Sequence, residues 1–301
     1  MAEAVFEPVG YLSPQIFGLP VDRETLFSNH KGIYKKRAEK RQRKLFVKIA
    51  SLKPFLKKGE HVLLVTTGYS PLNSLAQYLT GFVFVYLKRS LFVFTNYRIF
   101  HIPATANYKY KNSIAQVAYA GCQSIVLKGG TLIFQYGRAG NKKTEKFEGI
   151  AGSERRKIRS LLDKKIPLSA TKGQQSARLH LCPRCTYILA EGMQKCGKCQ
   201  LQFKSKLVAA LSAFLIPGGG YFYIRQYFIG FLDALAEIVL AGLIAYLFVG
   251  MPDQMPLDFV HLALIPVFLY LKIAAAIHSS HFIEEFIPKD KNVKPRQVTY
   301  K

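Results

Sequence analysis

Four of the five cysteines stand in two C-x-x-C pairs, Cys182-Pro-Arg-Cys185 and Cys196-Gly-Lys-Cys199, with ten residues between them. Each pair makes a tight turn that points two sulfurs at one ion, and ten residues suffice for a hairpin that brings the pairs together. The spacing therefore predicts a four-thiolate tetrahedral site, with zinc as the expected ion and iron as the alternative. Protein fills all four coordination positions, so the expected role is structural rather than catalytic. Redox-active dithiols are a third reading, but a thioredoxin-like C-x-x-C needs an alternating strand and helix context that this segment lacks. Arg184, Lys195 and Lys198 lie beside the sulfurs and offset the charge of four thiolates. Cysteines used in this way suit a reducing compartment. Cys122 stands alone in strand-like sequence and reads as a small buried hydrophobe.

A second chemical set lies in apolar sequence. Asp233 and Glu237 are spaced i and i+4 on one helix face, and Lys272 is the basic residue well inside the next apolar run. Folding the chain between the two runs puts Lys272 between the acids in depth, which predicts an intramembrane charge cluster. Each such charge costs roughly 2.5 to 3.5 kcal/mol on insertion scales, and pairing offsets that cost. A lock between helices is the plainer reading than an ion path, because two acids and one lysine make no continuous relay. Histidines such as His61 and His101 occur singly in strand-like sequence. No nucleophile–base pair or nucleotide-binding loop is visible, so no enzyme activity is expected.

These residues need elements to hold them. Phe228–Val249 and Leu257–Ile277 are apolar nearly all round, and each is about the ~20 residues that a bilayer core requires. They read as a transmembrane hairpin, with MPDQMP as a proline-bounded loop carrying Asp253. Lys204 and Lys206 precede it, and Lys289, Lys291, Lys294, Arg296 and Lys301 follow, so the positive-inside bias places both termini in the cytoplasm. Residues 207–216 are apolar but too short to cross alone, and Pro217-Gly218-Gly219-Gly220 ends them. The first thirty residues lack a basic n-region and a continuous apolar core, so they are not read as a secretory signal. A short helix is expected at Asp22–Phe27.

The chain carries a formal net charge of +25 with half its residues hydrophobic. That pairing resolves if apolar residues concentrate in spans and basic ones in a soluble part that meets a polyanion. Residues 31–58 hold twelve Lys or Arg against Glu39, with Leu45, Ile49, Leu52 and Leu56 at helical spacing. One reading is a basic helix packed on the next domain. The sharper one is contact with anionic lipid through Lys35, Lys36, Arg37, Lys40, Arg41, Arg43, Lys44 and Lys48.

From Glu60 the periodicity turns to strands, expected near His61–Tyr69, Phe82–Lys88, Leu91–Thr95, Tyr97–Pro103, Ser113–Tyr119, Gln123–Lys128, Thr131–Gly137 and Lys142–Glu148. Gly129-Gly130 and Gly140-Asn141 mark turns, and Ser153 caps a closing helix with Ile158, Leu161 and Leu162 inward. The resulting division is a loop and basic amphipathic helix (1–58), a sheet domain (59–165), a Ser/Gln/Gly-rich linker (166–180), the four-cysteine unit (181–204), a membrane domain (205–283) and a basic cytoplasmic tail (284–301).

LFVFTNYRIFHI, with SIVLKGGTLIFQYG and the helix at SERRKIRSLLDKK, resembles the bacterial pleckstrin-homology-like domains, which implies an antiparallel barrel closed by a C-terminal helix. The segment SPLNSLAQYLTG departs from that pattern. Residues 182–199 resemble the zinc ribbons. Residues 207–250 are similar to a small family of two-span bacterial domains at Gly219, Phe222, Tyr223 and Gly230. Together these imply an α+β multidomain membrane protein of the bacterial inner membrane. The expected function is non-enzymatic binding of a protein partner or anionic lipid. Alternatives are a membrane-tethered nucleic-acid binder or a subunit of an oligomeric transporter. Residues 31–44 hold one aromatic, Tyr34, which is sparse for base stacking and favours lipid or partner contact.

Overall fold

Residues 89–95 and 98–103 are buried at nearly every position because the strands they form are covered on both faces, one by helices and the other by a second sheet. In the computed structural model, residues 14–70, 88–105, 107–120, 122–138, 141–164, 166, 178–250, 257–283, 285–290 and 292–293 are described. In chain order they form β1 (Gln15–Ile16), β2 (Leu19–Pro20), α1 (Arg23–Phe27), α2 (Lys36–Phe46), a 3-10 helix (Val47–Phe55), β3 (Val62–Tyr69), β4 (Arg89–Thr95) and β5 (Arg98–Pro103). There follow β6 (Ile114–Ala118), β7 (Cys122–Lys128), β8 (Thr131–Arg138), β9 (Asn141–Phe147), α3 (Gly152–Lys164), β10 (Leu179–Leu181) and β11 (Ile188–Leu189). The C-terminal part holds α4 (Lys206–Leu215), α5 (Gly219–Tyr223), α6 (Tyr227–Gly250) and α7 (Leu257–Ile283).

Alternation sorts the strand side chains between two cores. Leu91, Val93, Phe100 and Ile102 face the N-terminal helices and pack with Leu26, Phe46, Ile49 and Leu52. Phe92, Phe94 and Ile99 face the other way, onto Ile125, Phe134, Phe147 and Ile158. Gln42 ties α2 to the sheet by hydrogen bonding both the N–H and the C=O of Val65, at 3.0 and 2.8 Å. The basic segment departs from the single helix expected. It changes to a 3-10 helix at Val47, with Pro54 inside, and Leu45, Ile49, Leu52 and Leu56 are buried.

The fold is mixed α+β, with a six-stranded antiparallel sheet of order β11-β10-β6-β5-β4-β3 and a three-stranded sheet β7-β8-β9. The expected closed barrel is not formed by the described strands. β6 and β7 belong to different sheets, and the end of β3 reaches the other sheet's last strand through the Tyr69 amide, 2.9 Å from the Glu148 carbonyl. Helix α3 starts one residue before the predicted cap, and Ser153 instead accepts a hydrogen bond from Arg41. Of the sequence expectations, the strand at 82–87, the Gly140-Asn141 turn, most of the linker, the MPDQMP loop and the last residues of the tail lie outside the described residues.

Helices α6 and α7 each contain a 21-residue stretch, Tyr227–Leu247 and Ala263–Ile283, long and apolar enough to cross a membrane. Only 11% and 33% of the respective windows are buried within the protein, so neither is covered as a soluble core helix would be. The second helix runs to Ile283, past the predicted end at Ile277.

Candidate functional site

The two cysteine turns are built alike. The Cys182 amide donates to Tyr187 O at 2.8 Å and the Thr186 amide returns to Cys182 O at 2.9 Å. In the second turn Cys196 N–H meets Leu201 O at 2.9 Å, and Gln200 N–H meets Cys196 O at 3.0 Å. Thr186 and Gln200, each four residues after the first cysteine of its pair, take left-handed φ values of 61° and 56°. That conformation is strained for side-chain-bearing residues, and for a β-branched threonine most of all. Neither position is singled out by the C-x-x-C spacing.

The four sulfurs of Cys182, Cys185, Cys196 and Cys199 lie within 4.8 Å of one another. Cys182 to Cys199 and Cys185 to Cys196 are both 3.5 Å, too long for disulfides and close to the ~3.8 Å edge of a tetrahedron with metal–sulfur bonds of about 2.3 Å. Burial raises the Cys182 thiol and raises Cys185 to about 11. Burial acts the same way on Cys196, but the amides of Cys199 and Lys198 outweigh it and lower that thiol. Amides aimed at sulfur favour thiolate, so the donor set fits a metal ion that takes four thiolates.

Leu181, Leu189, Leu201 and Phe203 are buried around the sulfurs. The unit is joined to the sheet rather than set apart by a linker, since β10 pairs with β6 through Leu179–Gln116, His180–Ala115 and Leu181–Ile114.

The charges within the two long apolar helices divide. Lys272 Nζ lies 2.7 Å from Glu237 Oε2 and 3.1 Å from Ala213 O, with the two residues 6% and 1% exposed. Ala213 O belongs to the last turn of α4, where carbonyls lack helical partners and attract a cation. Asp233 makes no ion pair among the described residues, and its Oδ2 is buried without a hydrogen-bond partner. The expected three-charge cluster is thus one pair plus a helix end, with Asp233 beside it.

Of the basic residues marked for lipid contact, Lys35, Lys36, Arg37, Lys40, Arg43 and Lys44 are exposed. Arg43 pairs with Glu39 at 2.7 Å on the helix surface. Arg41 turns inward to Glu154 at 3.2 Å, and Lys48 is half-buried.

Ser70 Oγ lies 2.9 Å from His101 Nε2, with Ser90 Oγ 3.0 Å from the same nitrogen. This spacing is that of a nucleophile and its base, and all three residues are buried. Burial holds His101 well below the usual histidine range, so it stays neutral. Cys122 is buried, with Sγ donating to Ala118 O at 3.2 Å. No family model matches the chain, and neither a curated protein nor a solved structure shows significant similarity to it.

Proposed function

We propose that this chain is a non-enzymatic integral membrane protein. Its sheet domain is pleckstrin-homology-like and meets anionic lipid headgroups, and its ribbon holds zinc and presents a surface to a protein partner. The observation that carries the lipid reading is the outer face of α2. Lys36, Arg37, Lys40 and Lys44 remain exposed with no carboxylate partner among the described residues, while Gln42, Leu45 and Phe46 face the core, so the fold leaves this charge unneutralised. Each Lys or Arg near an anionic surface adds on the order of 1 kcal/mol, less with salt. The pleckstrin-homology-like reading draws on the order of the meanders, β3-β4-β5-β6 then β7-β8-β9, followed by the packed helix α3. For the ribbon, Tyr187, Ile188 and Met193 are exposed apolar side chains close to the knuckles.

In this reading both termini are cytoplasmic, as the basic residues flanking the spans favour, and α4–α5 dips into the same leaflet and returns. Helix α4 packs Ala209 and Ala213 inward and exposes Leu207, Leu211 and Leu215, the last by 78%. At Gly218, φ is 65° and an added Cβ would come within 2.1 Å of Gly230 O, so only glycine allows the reversal. Lys204 Nζ then donates to Tyr223 O, which brings the two ends of the segment together.

The test uses full-length protein in neutral-lipid nanodiscs mixed with vesicles that contain or lack phosphatidylserine. Capture should require the anionic lipid, weaken with salt and disappear in a Lys36→Glu/Arg37→Glu/Lys40→Glu/Lys44→Glu variant. Equal capture by both vesicles, or tighter salt-sensitive binding to RNA, would overturn it in favour of the nucleic-acid alternative.

A further inference from the structure

The segment that leaves the second span is built into both soluble parts. Glu285 pairs with Lys88 at the start of the sheet, Nζ to Oε1 3.4 Å, and its carbonyl accepts from Ser113 Oγ. Lys88 and Lys111 also lie over the ring of Phe282, 4.7 and 5.2 Å from its centre. One residue further on, Phe286 stands edge-on to Phe203 of the ribbon at 5.5 Å and leans on His180 of β10 at 4.9 Å.

Residues 287–289 then act as an added strand of the second knuckle. The Lys204 amide donates to Ile287 O at 2.9 Å, the Lys289 amide donates to Gln202 O at 3.0 Å, and Phe203 bridges Pro288. On its other side the Phe203 segment pairs with the one that enters the same knuckle, since the Phe203 amide donates to Gln194 O at 2.8 Å and Lys195 bridges Gln202. Asp290 lies 3.7 Å from Arg184, between the first pair of cysteines, and Val293 is buried with Cys182 and Cys196.

We infer that the four-cysteine ribbon is a clasp on the exit of the second span, so that metal occupancy sets whether residues 286–290 and Val293 stay packed on the ribbon and β10, and thereby how firmly hairpin and sheet are joined. The inference rests on the metal reading of the four thiols. A ribbon of this size buries too little apolar surface to hold its shape alone, so a bound metal supplies most of its folding free energy. The residues that pack on that shape, Phe286 to Val293, depend on it in turn. The sheet keeps its own two cores when the ribbon opens, α6 and α7 remain held by Lys272–Glu237, and Glu285 stays paired with Lys88, so the part released is the packing of residues 286–290 and Val293 on the ribbon.

The experiment is hydrogen exchange on full-length protein in detergent, with metal content measured alongside, before and after a thiol-competitive zinc chelator. Stripping the metal should accelerate exchange at the Lys204 and Lys289 amides by at least about 10-fold, while β4 amides keep their rates. A second arm uses Phe286→Ala, which retains the cysteines and their metal but removes the ring between His180 and Phe203; the same amides should accelerate. Protection that survives both metal loss and Phe286→Ala overturns the clasp. Protein isolated without metal overturns the metal reading, and the Phe286→Ala arm then decides the clasp by itself.

Discussion

Lys272 and Glu237 form an ion pair of 2.7 Å between the two long apolar helices, at the carbonyl end of a third, shorter one. Removing one member strands the other in a site closed to water, which typically costs about 3 to 5 kcal/mol. Lys272→Leu alone should therefore lower the melting temperature in detergent more than Lys272→Leu combined with Glu237→Gln. Asp233→Asn should lower it less than Lys272→Leu does, because Asp233 makes no ion pair with Lys272 among the described residues. Simple additivity in the double-mutant cycle would count against the coupling.

Arg98 holds Glu60 through two parallel contacts, Nε to Oε1 at 2.9 Å and Nη2 to Oε2 at 2.7 Å, and donates to Phe55 O at 2.7 Å. Thr95 Oγ1 donates to the same carboxylate at 2.8 Å and accepts from the Arg98 amide at 3.1 Å. The T-N-Y-R turn is thus the lid of a buried fork. Arg98→Lys keeps the charge and loses the fork, and should cost about 2 kcal/mol in thermal or denaturant unfolding. A loss as small as that of an exposed lysine substitution would refute this.

Thr186 and Gln200 hold left-handed backbone at the price of about 1 kcal/mol each. Gln200→Gly should relieve that strain, raising the melting temperature and slowing metal loss to a chelator. Cys196→Ser should do the reverse, exposing residues 181–204 to protease while membrane insertion is kept. A destabilised Gln200→Gly protein would mean that the side chain, not the turn, matters there.

Burial alone would raise the Glu285 carboxyl, but the charges of Lys88 and Lys111 outweigh it and hold it at about 2, against an ordinary 4.5. A folded-state value below the unfolded one contributes stability that is present above pH 4.5 and drains away as pH falls toward 2. Wild type should thus exceed Glu285→Gln in thermal stability at neutral pH. The gap should close through that acid window. A gap that stayed constant would remove Glu285 from the account.

Local chemistry was legible in the sequence and distant pairing was not. The cysteine turns follow from spacing alone, and two spans follow from runs with no polar face. The helix at Arg23–Phe27 has its Asp22 cap written beside it. By contrast, β10 is the three residues Leu179–Leu181, with no alternation long enough to announce a strand, and its partner β6 lies more than sixty positions upstream. Nothing in FIPKD marks it as a ribbon strand, because lysines and a proline there read equally well as a solvated tail. The apolar runs of β4 and β5 pointed to burial but could not say that helices cover one face and a sheet the other. The join of β6 to β10 also explains why no closed barrel forms among these strands, since the edge of β6 is already taken.

The strand at residues 287–289 lies beyond the second span, whereas the cysteines it braces lie before the first. During synthesis all four sulfurs leave the ribosome with their outer strand still unmade. On the proposed two-span topology, that segment reaches them only when both spans have been threaded and the chain has come back to the side from which it started. A chain with one span misplaced would deliver residues 287–289 to the wrong side of the bilayer and leave the ribbon open at Phe203. On the proposed topology, then, a finished ribbon would report a correctly inserted hairpin, and a poorly inserted one would show an open, protease-accessible edge.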